Sequence, residues 1–250
     1  MRIHSPPLLA AVATIGLAGT VQTAHGQTVI DGGHWDLNTN FDGTTFTFDW
    51  FDLGTAGGSL VEQTTIRGIF DGDATGFLAG VDDATPRPGG SAWDFTGAGP
   101  DEDLFIFPAS SPEPHLPYIG FAGYGVPSGM FVDGVTMSFE GIVSGPDGGD
   151  FSVHQNRTAG PLVFFSSANA ALTAANNTMP INPGSHEHFN WNFTEPGTYE
   201  LVFAASGTLS SNNTLVESGT FIATFDVVVP EPASLGLLGV GALGLIRRRR

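Results

Sequence analysis

Between His34 and Val229, apolar and polar residues alternate in short runs interrupted by glycine, proline, asparagine and aspartate. A period of two bounded by turn residues is the pattern of half-buried strands. His34 to Phe41 puts Trp35, Leu37, Thr39 and Phe41 on one face and His34, Asp36, Asn38 and Asn40 on the other. Asp42-Gly43 predicts a two-residue hairpin, and the return run over 44–51 gathers Phe46, Phe48 and Trp50 on one face. Further strands are predicted over 60–70, 103–107, 116–121, 135–143, 151–155, 162–166, 185–193, 198–204 and 220–229. Helical character is confined to a turn or two within 168–176, and the acidic, Gly- and Pro-rich span 71–103 reads as an irregular insertion. The expectation is an all-β protein, a two-sheet β-sandwich of immunoglobulin or jelly-roll type with about ten strands.

Both ends carry a different pattern. Arg2, an apolar stretch over 8–18 and the small-x-small sequence Ala24-His25-Gly26 predict a signal peptide over 1–26, with the mature chain starting at Gln27. At the other end, Pro230-Glu231-Pro232 precedes a Gly-rich apolar run over 233–246 and then Arg247, Arg248, Arg249 and Arg250. Fourteen helical residues span roughly 21 Å, short of the roughly 30 Å hydrocarbon core unless the arginines snorkel. The arginines would stay cytoplasmic and leave everything before them outside. This order of parts resembles the PEP-CTERM sorting signal of exported bacterial proteins. The resemblance implies an exosortase-type processing enzyme as partner, transient membrane attachment through the C-terminal helix, and delivery to the cell envelope or surface, among extracellular polysaccharide. The exported domain is then 27–229, with 230–250 as the sorting segment.

Composition narrows the chemistry. The chain has no lysine, and five of its eight arginines lie in the terminal segments, leaving Arg67, Arg87 and Arg157 against all but one of the 25 carboxylates. So acidic a body repels nucleic acid and anionic surfaces and attracts cations. The absence of cysteine excludes disulfides, thiolate metal sites and thiol nucleophiles; the absence of lysine excludes Schiff-base chemistry. Neither Gly-x-Ser-x-Gly nor His-Glu-x-x-His occurs. The expectation is a protein that is not an enzyme.

The densest chemistry lies in Ser185-His186-Glu187-His188-Phe189-Asn190-Trp191-Asn192-Phe193. As one strand, it would put His186, His188, Asn190 and Asn192 on one face and Phe189, Trp191 and Phe193 on the other. Imidazoles at i and i+2 start from Cα atoms roughly 6.5–7 Å apart and can reach one ion. Two or three histidines with a carboxylate suit zinc or manganese, and His34 and Asp36 form a second polar face that could complete such a site. A calcium loop is a weaker candidate, with Asp71, Asp73, Thr75 and Asp82 as ligands and Ala79 where the ninth-position ligand would stand.

Several blocks together resemble the choice-of-anchor M surface-domain family. They are Gly33-His34-Trp35-Asp36 with Asp42-Gly43, Leu104-Phe105-Ile106-Phe107-Pro108, Pro117-Tyr118-Ile119-Gly120, Gly145-Pro146 ahead of Asp150-Phe151-Ser152-Val153, and above all the stretch from His186 to Tyr199. The similarity spans 30–228 and departs from the family pattern over 71–103. Because relatives are encoded beside metal-type transporters, it implies handling of a metal or metal complex. Three functions follow as expectations. The first is a non-catalytic structural or ligand-binding envelope domain. The second is a divalent-metal-binding surface protein accessory to metal uptake. The third is an envelope polysaccharide hydrolase working through paired carboxylates.

Overall fold

The structure is a computed structural model that describes residues 28–53, 60–61, 64–71, 82–110, 116–169, 171–172 and 176–229. The fold is all-β, with open sheets that do not close into a barrel. Three sheets form. The largest runs in the order Thr28–Ile30, Thr64–Asp71, Phe221–Val228, Gly197–Thr208, Val135–Ser144 and Thr178–Ile181, with Leu215–Glu217 and Asp82–Asp83 attached. A second runs Gly160–Ser166, Phe151–Arg157, Asn190–Phe193, Asp103–Phe107 and Thr85–Pro86. The third, which builds the site, runs His186–His188, Tyr118–Gly125, His34–Phe41, Phe46–Asp52 and Leu60–Val61.

Aromatic rings join the sheets. Phe225 of the largest sheet meets Trp191 and Phe193 of the second at 5.2 and 5.3 Å, and Trp50 of the third at 6.0 Å. Phe121 of the third sheet stacks on Trp191 of the second at 4.6 Å. Trp50, Trp191, Phe193, Phe203 and Phe225 are all buried. Tyr199 closes a corner: its hydroxyl donates to the Glu195 carbonyl at 2.8 Å and accepts from the Glu195 amide at 3.2 Å. Burial pushes this phenol up to about 12.

The strands expected over 103–107, 135–143 and 151–155 form, lengthened at one end or unchanged. Four expectations are corrected. The 42–45 connection has four residues, not two: Phe41 pairs with Phe46, and the Asp42 carboxylate caps the amides of Thr44 and Thr45. The 168–176 span forms turns among its described residues, whereas a 3-10 helix, Ser91–Thr96, lies inside the supposedly irregular insertion. Thr178–Ile181 adds a strand that the alternation missed, because Pro180 broke the pattern. The fourth correction bears on function. The run 185–193 is not one strand but two, His186–His188 and Asn190–Phe193, in different sheets, with buried Phe189 at the crossing.

Candidate metal centre

Three strands supply the site. His186–His188 lies at the sheet edge, antiparallel to Tyr118–Gly125, which runs parallel to His34–Phe41. The registers pair His188 with Gly120 and Gly120 with Asp36, while His34 pairs with Tyr118 and His186 with Ala122. Alternation then turns His34, Asp36, His186 and His188 to one face. Their ligand atoms all lie within 4.8 Å of one another. Nε2 of His34 stands 2.6 Å from Nε2 of His188, which is 3.4 Å from Oδ1 of Asp36. The four residues singled out in the sequence therefore converge, although another strand separates them.

Gly120 makes the convergence possible. A Cβ there would overlap Asp36 Oδ1 and lie 2.7 Å from the Glu187 carbonyl oxygen and 2.9 Å from His188 Cδ2. Its hydrogen leaves the floor of the site to the carboxylate and the imidazole.

Asp36 is fully buried, and neither of its oxygens accepts a hydrogen bond. Burying an ionised carboxylate without partners costs several kcal/mol, so native proteins pair such a group or put it on a metal. Burial lowers the pKa of His34; neighbouring His188 and His186 add to this, against the opposing pull of Asp36 and Asp52. His34 is thus held neutral at neutral pH, the state in which imidazole ligates. A tetrahedral ion with bonds of about 2.0–2.1 Å needs its donors about 3.3 Å apart. The 3.4 Å pair already fits, the 2.6 Å pair must open by less than about 1 Å, and donors up to 4.8 Å apart must close by as much as about 1.5 Å.

Aromatic residues frame the cluster. The Tyr118 ring stacks on His188 at 3.6 Å and lies 4.8 Å from His34. The Tyr124 hydroxyl contacts Nδ1 of His186. Burial, reinforced by Asp36, raises the pKa of both tyrosines. From the opposite face, Gln155 Nε2 donates to Glu187 Oε1 at 2.7 Å and to the His188 carbonyl at 3.3 Å, tying the edge strand to the second sheet. The sequence reading missed Tyr118, Gly120 and Tyr124. Their signal was the alternation Tyr118, Gly120, Ala122, Tyr124, two tyrosines bracketing two small residues on one face.

The other candidates lie elsewhere. Asn190 and Asn192 do not share the histidine face, because they belong to the second sheet, where Asn192 Nδ2 donates to His154 Nδ1 at 2.9 Å. His154 Nε2 donates to Asn156 Oδ1 at 3.2 Å, and burial takes this imidazole down to about 4. Of the calcium candidates, Asp73 and Thr75 lie outside the described residues; Asp71 and Asp82 lie on two parallel strands whose backbone register pairs Asp71 with Asp83 and Phe70 with Asp82. Ala24, Gly26, Pro230, Glu231, Pro232 and Arg247 to Arg250 also lie outside the described residues.

Residues 228–250 match the PEP-CTERM protein-sorting motif. The motif marks an exported, envelope-associated protein sorted by an exosortase-type enzyme. No curated protein and no solved structure matches the chain. The match begins at Val228, where the last strand ends, so the core of the domain runs directly into the sorting segment.

Proposed function

We propose that this protein is a non-catalytic, exported β-sandwich that holds one divalent transition metal ion, zinc or manganese, at the cell surface. His34, Asp36, His186 and His188 are its ligands, and its work is to capture the ion or pass it on. The observation that carries this reading is the Asp36 carboxylate, buried without a hydrogen bond and faced by three imidazoles. For zinc, four protein donors fill a tetrahedral shell and leave no open position for substrate, which favours binding over catalysis. The acidic body concentrates cations around the site, and the resemblance to choice-of-anchor M domains points the same way.

Titration calorimetry with zinc and with manganese tests the proposal. One ion should bind per chain at neutral pH, with affinity falling in acid as protons compete for the imidazoles. The double variant His186→Ala/His188→Ala should lose at least about a hundredfold in affinity, whereas His154→Gln should keep it. No binding of either metal, or equal losses in both variants, would sink the reading.

A further inference from the structure

We infer that Tyr124 is the positioning residue of this centre: its hydroxyl, set on Nδ1 of His186, turns that imidazole so that Nε2 is the atom offered to the ion. The inference rests on the metal-binding reading above. It follows from where Tyr124 stands. Along Tyr118–Gly125, residues 118, 120, 122 and 124 share the site face, His188 pairs with Gly120 and His186 with Ala122. Tyr124 therefore lies one step beyond His186, on the side away from His188 and Asp36. The hydroxyl occupies Nδ1, so Nε2 is the nitrogen left free for an ion, and the His34 and His188 ring centroids lie 5.5 and 4.9 Å away.

His186 is the ligand that needs such a grip. Asp36 is locked by burial, and Tyr118 packs against both His34 and His188. His186 is exposed, on an edge strand of three residues. Left alone, its ring would sample several rotamers, and ordering it would cost binding free energy. Tyr124 is itself fixed. Its amide donates to Asn38 Oδ1 at 3.0 Å, and its ring lies 5.1 Å from Phe51. Asn38 in turn donates to Asp49 Oδ1 at 3.1 Å, so the clamp is anchored in the central strands.

The chemistry is consistent with both states of the site. When Nε2 binds an ion, the imidazole proton sits on Nδ1 and is donated to the phenolic oxygen. Without the ion, the same hydroxyl can rotate and donate to Nδ1. Phenylalanine fills the same space but can do neither. Outer partners of metal-bound histidines typically contribute 10–100-fold in affinity.

The experiment is a double-mutant cycle on the full-length chain. Zinc affinity is read by chelator competition for wild type, Tyr124→Phe, His186→Ala and the double variant. Circular dichroism and melting of the metal-free proteins run alongside. Tyr124→Phe should weaken zinc binding about 10–100-fold with metal-free melting unchanged, and should add nothing in the His186→Ala background. In the zinc-loaded wild type, imidazole nitrogen NMR should show His186 bound through Nε2 and protonated on Nδ1. Wild-type affinity in Tyr124→Phe, an undiminished effect in the His186→Ala background, or coordination through Nδ1 would overturn the inference while leaving the metal centre standing. A wild-type protein that takes up no zinc would remove both.

Discussion

His154 lies under Trp93 and Phe95, whose rings meet it edge-on at 5.2 and 5.4 Å, and both of its nitrogens are engaged by asparagines. Its folded pKa, about 4, is far below the unfolded value of 6.5. The unfolded chain therefore binds a proton that the native state refuses. Stability is complete above about pH 6.5 and falls as the pH drops from 6.5 toward 4, by a total on the order of 3 kcal/mol. Urea melts between pH 5 and 6.5, where most carboxylates remain ionised, should show this slope, and His154→Gln should flatten it. An unchanged slope would mean that His154 does not carry it. The contrast with His186 and His188 was only partly legible. Their i, i+2 spacing pointed to a shared ion and their surroundings in the sequence to a surface strand, but nothing near His154 in the chain announces Trp93 and Phe95.

At the scale of elements, the site depends on a strand that contributes none of the four clustered side chains. Tyr118–Gly125 lies between the His34–Phe41 and His186–His188 strands and sets their register through Gly120. Gly120→Ala should push its new methyl into Asp36 and the Glu187 carbonyl, where backbone has little room to yield. The expected result is loss of zinc binding and faster amide exchange over 186–188, with the remote 197–208 strand still protected. Exchange rates indistinguishable from wild type would show that the edge strand accommodates the methyl. Most strands were legible because one buried face imposes the period of two. The break at Phe189 was not, since alternation continues unbroken through 185–193 while the chain passes from one sheet to the next. Periodicity records which side chains are buried, and Phe189 is buried along with Trp191 and Phe193. Which sheet buries each of them depends on partners far away in sequence. For the same reason the convergence of His34 and Asp36 with His186 and His188 could be named as a candidate, but its register could not.

For the whole molecule, the junction at Val228 constrains processing. Ala223, Phe225 and Val227 are buried, and their strand is central to the largest sheet. Cleavage before Val228 would strip that strand, whereas cleavage near Pro230 spares it. Intact-mass measurement of the protein from its host should find a product that keeps Val228 and lacks Arg247 to Arg250. A product ending at Arg250 in the presence of the exosortase-type enzyme would refute this.

The distance along the chain between His34 and His188, 154 residues, has a further consequence. In a protein that emerges N-terminus first, His34 and Asp36 reach the far side of the membrane long before the edge strand that carries His186 and His188. If the chain is threaded across unfolded, as the signal peptide expected over 1–26 implies, the two halves of the proposed centre meet only after nearly the whole domain has crossed and folded. On the proposed metal-binding reading, the centre would then be filled outside the cytoplasm. The ion it acquires would be set by what the surroundings supply at that moment, not by the metals the cell keeps inside.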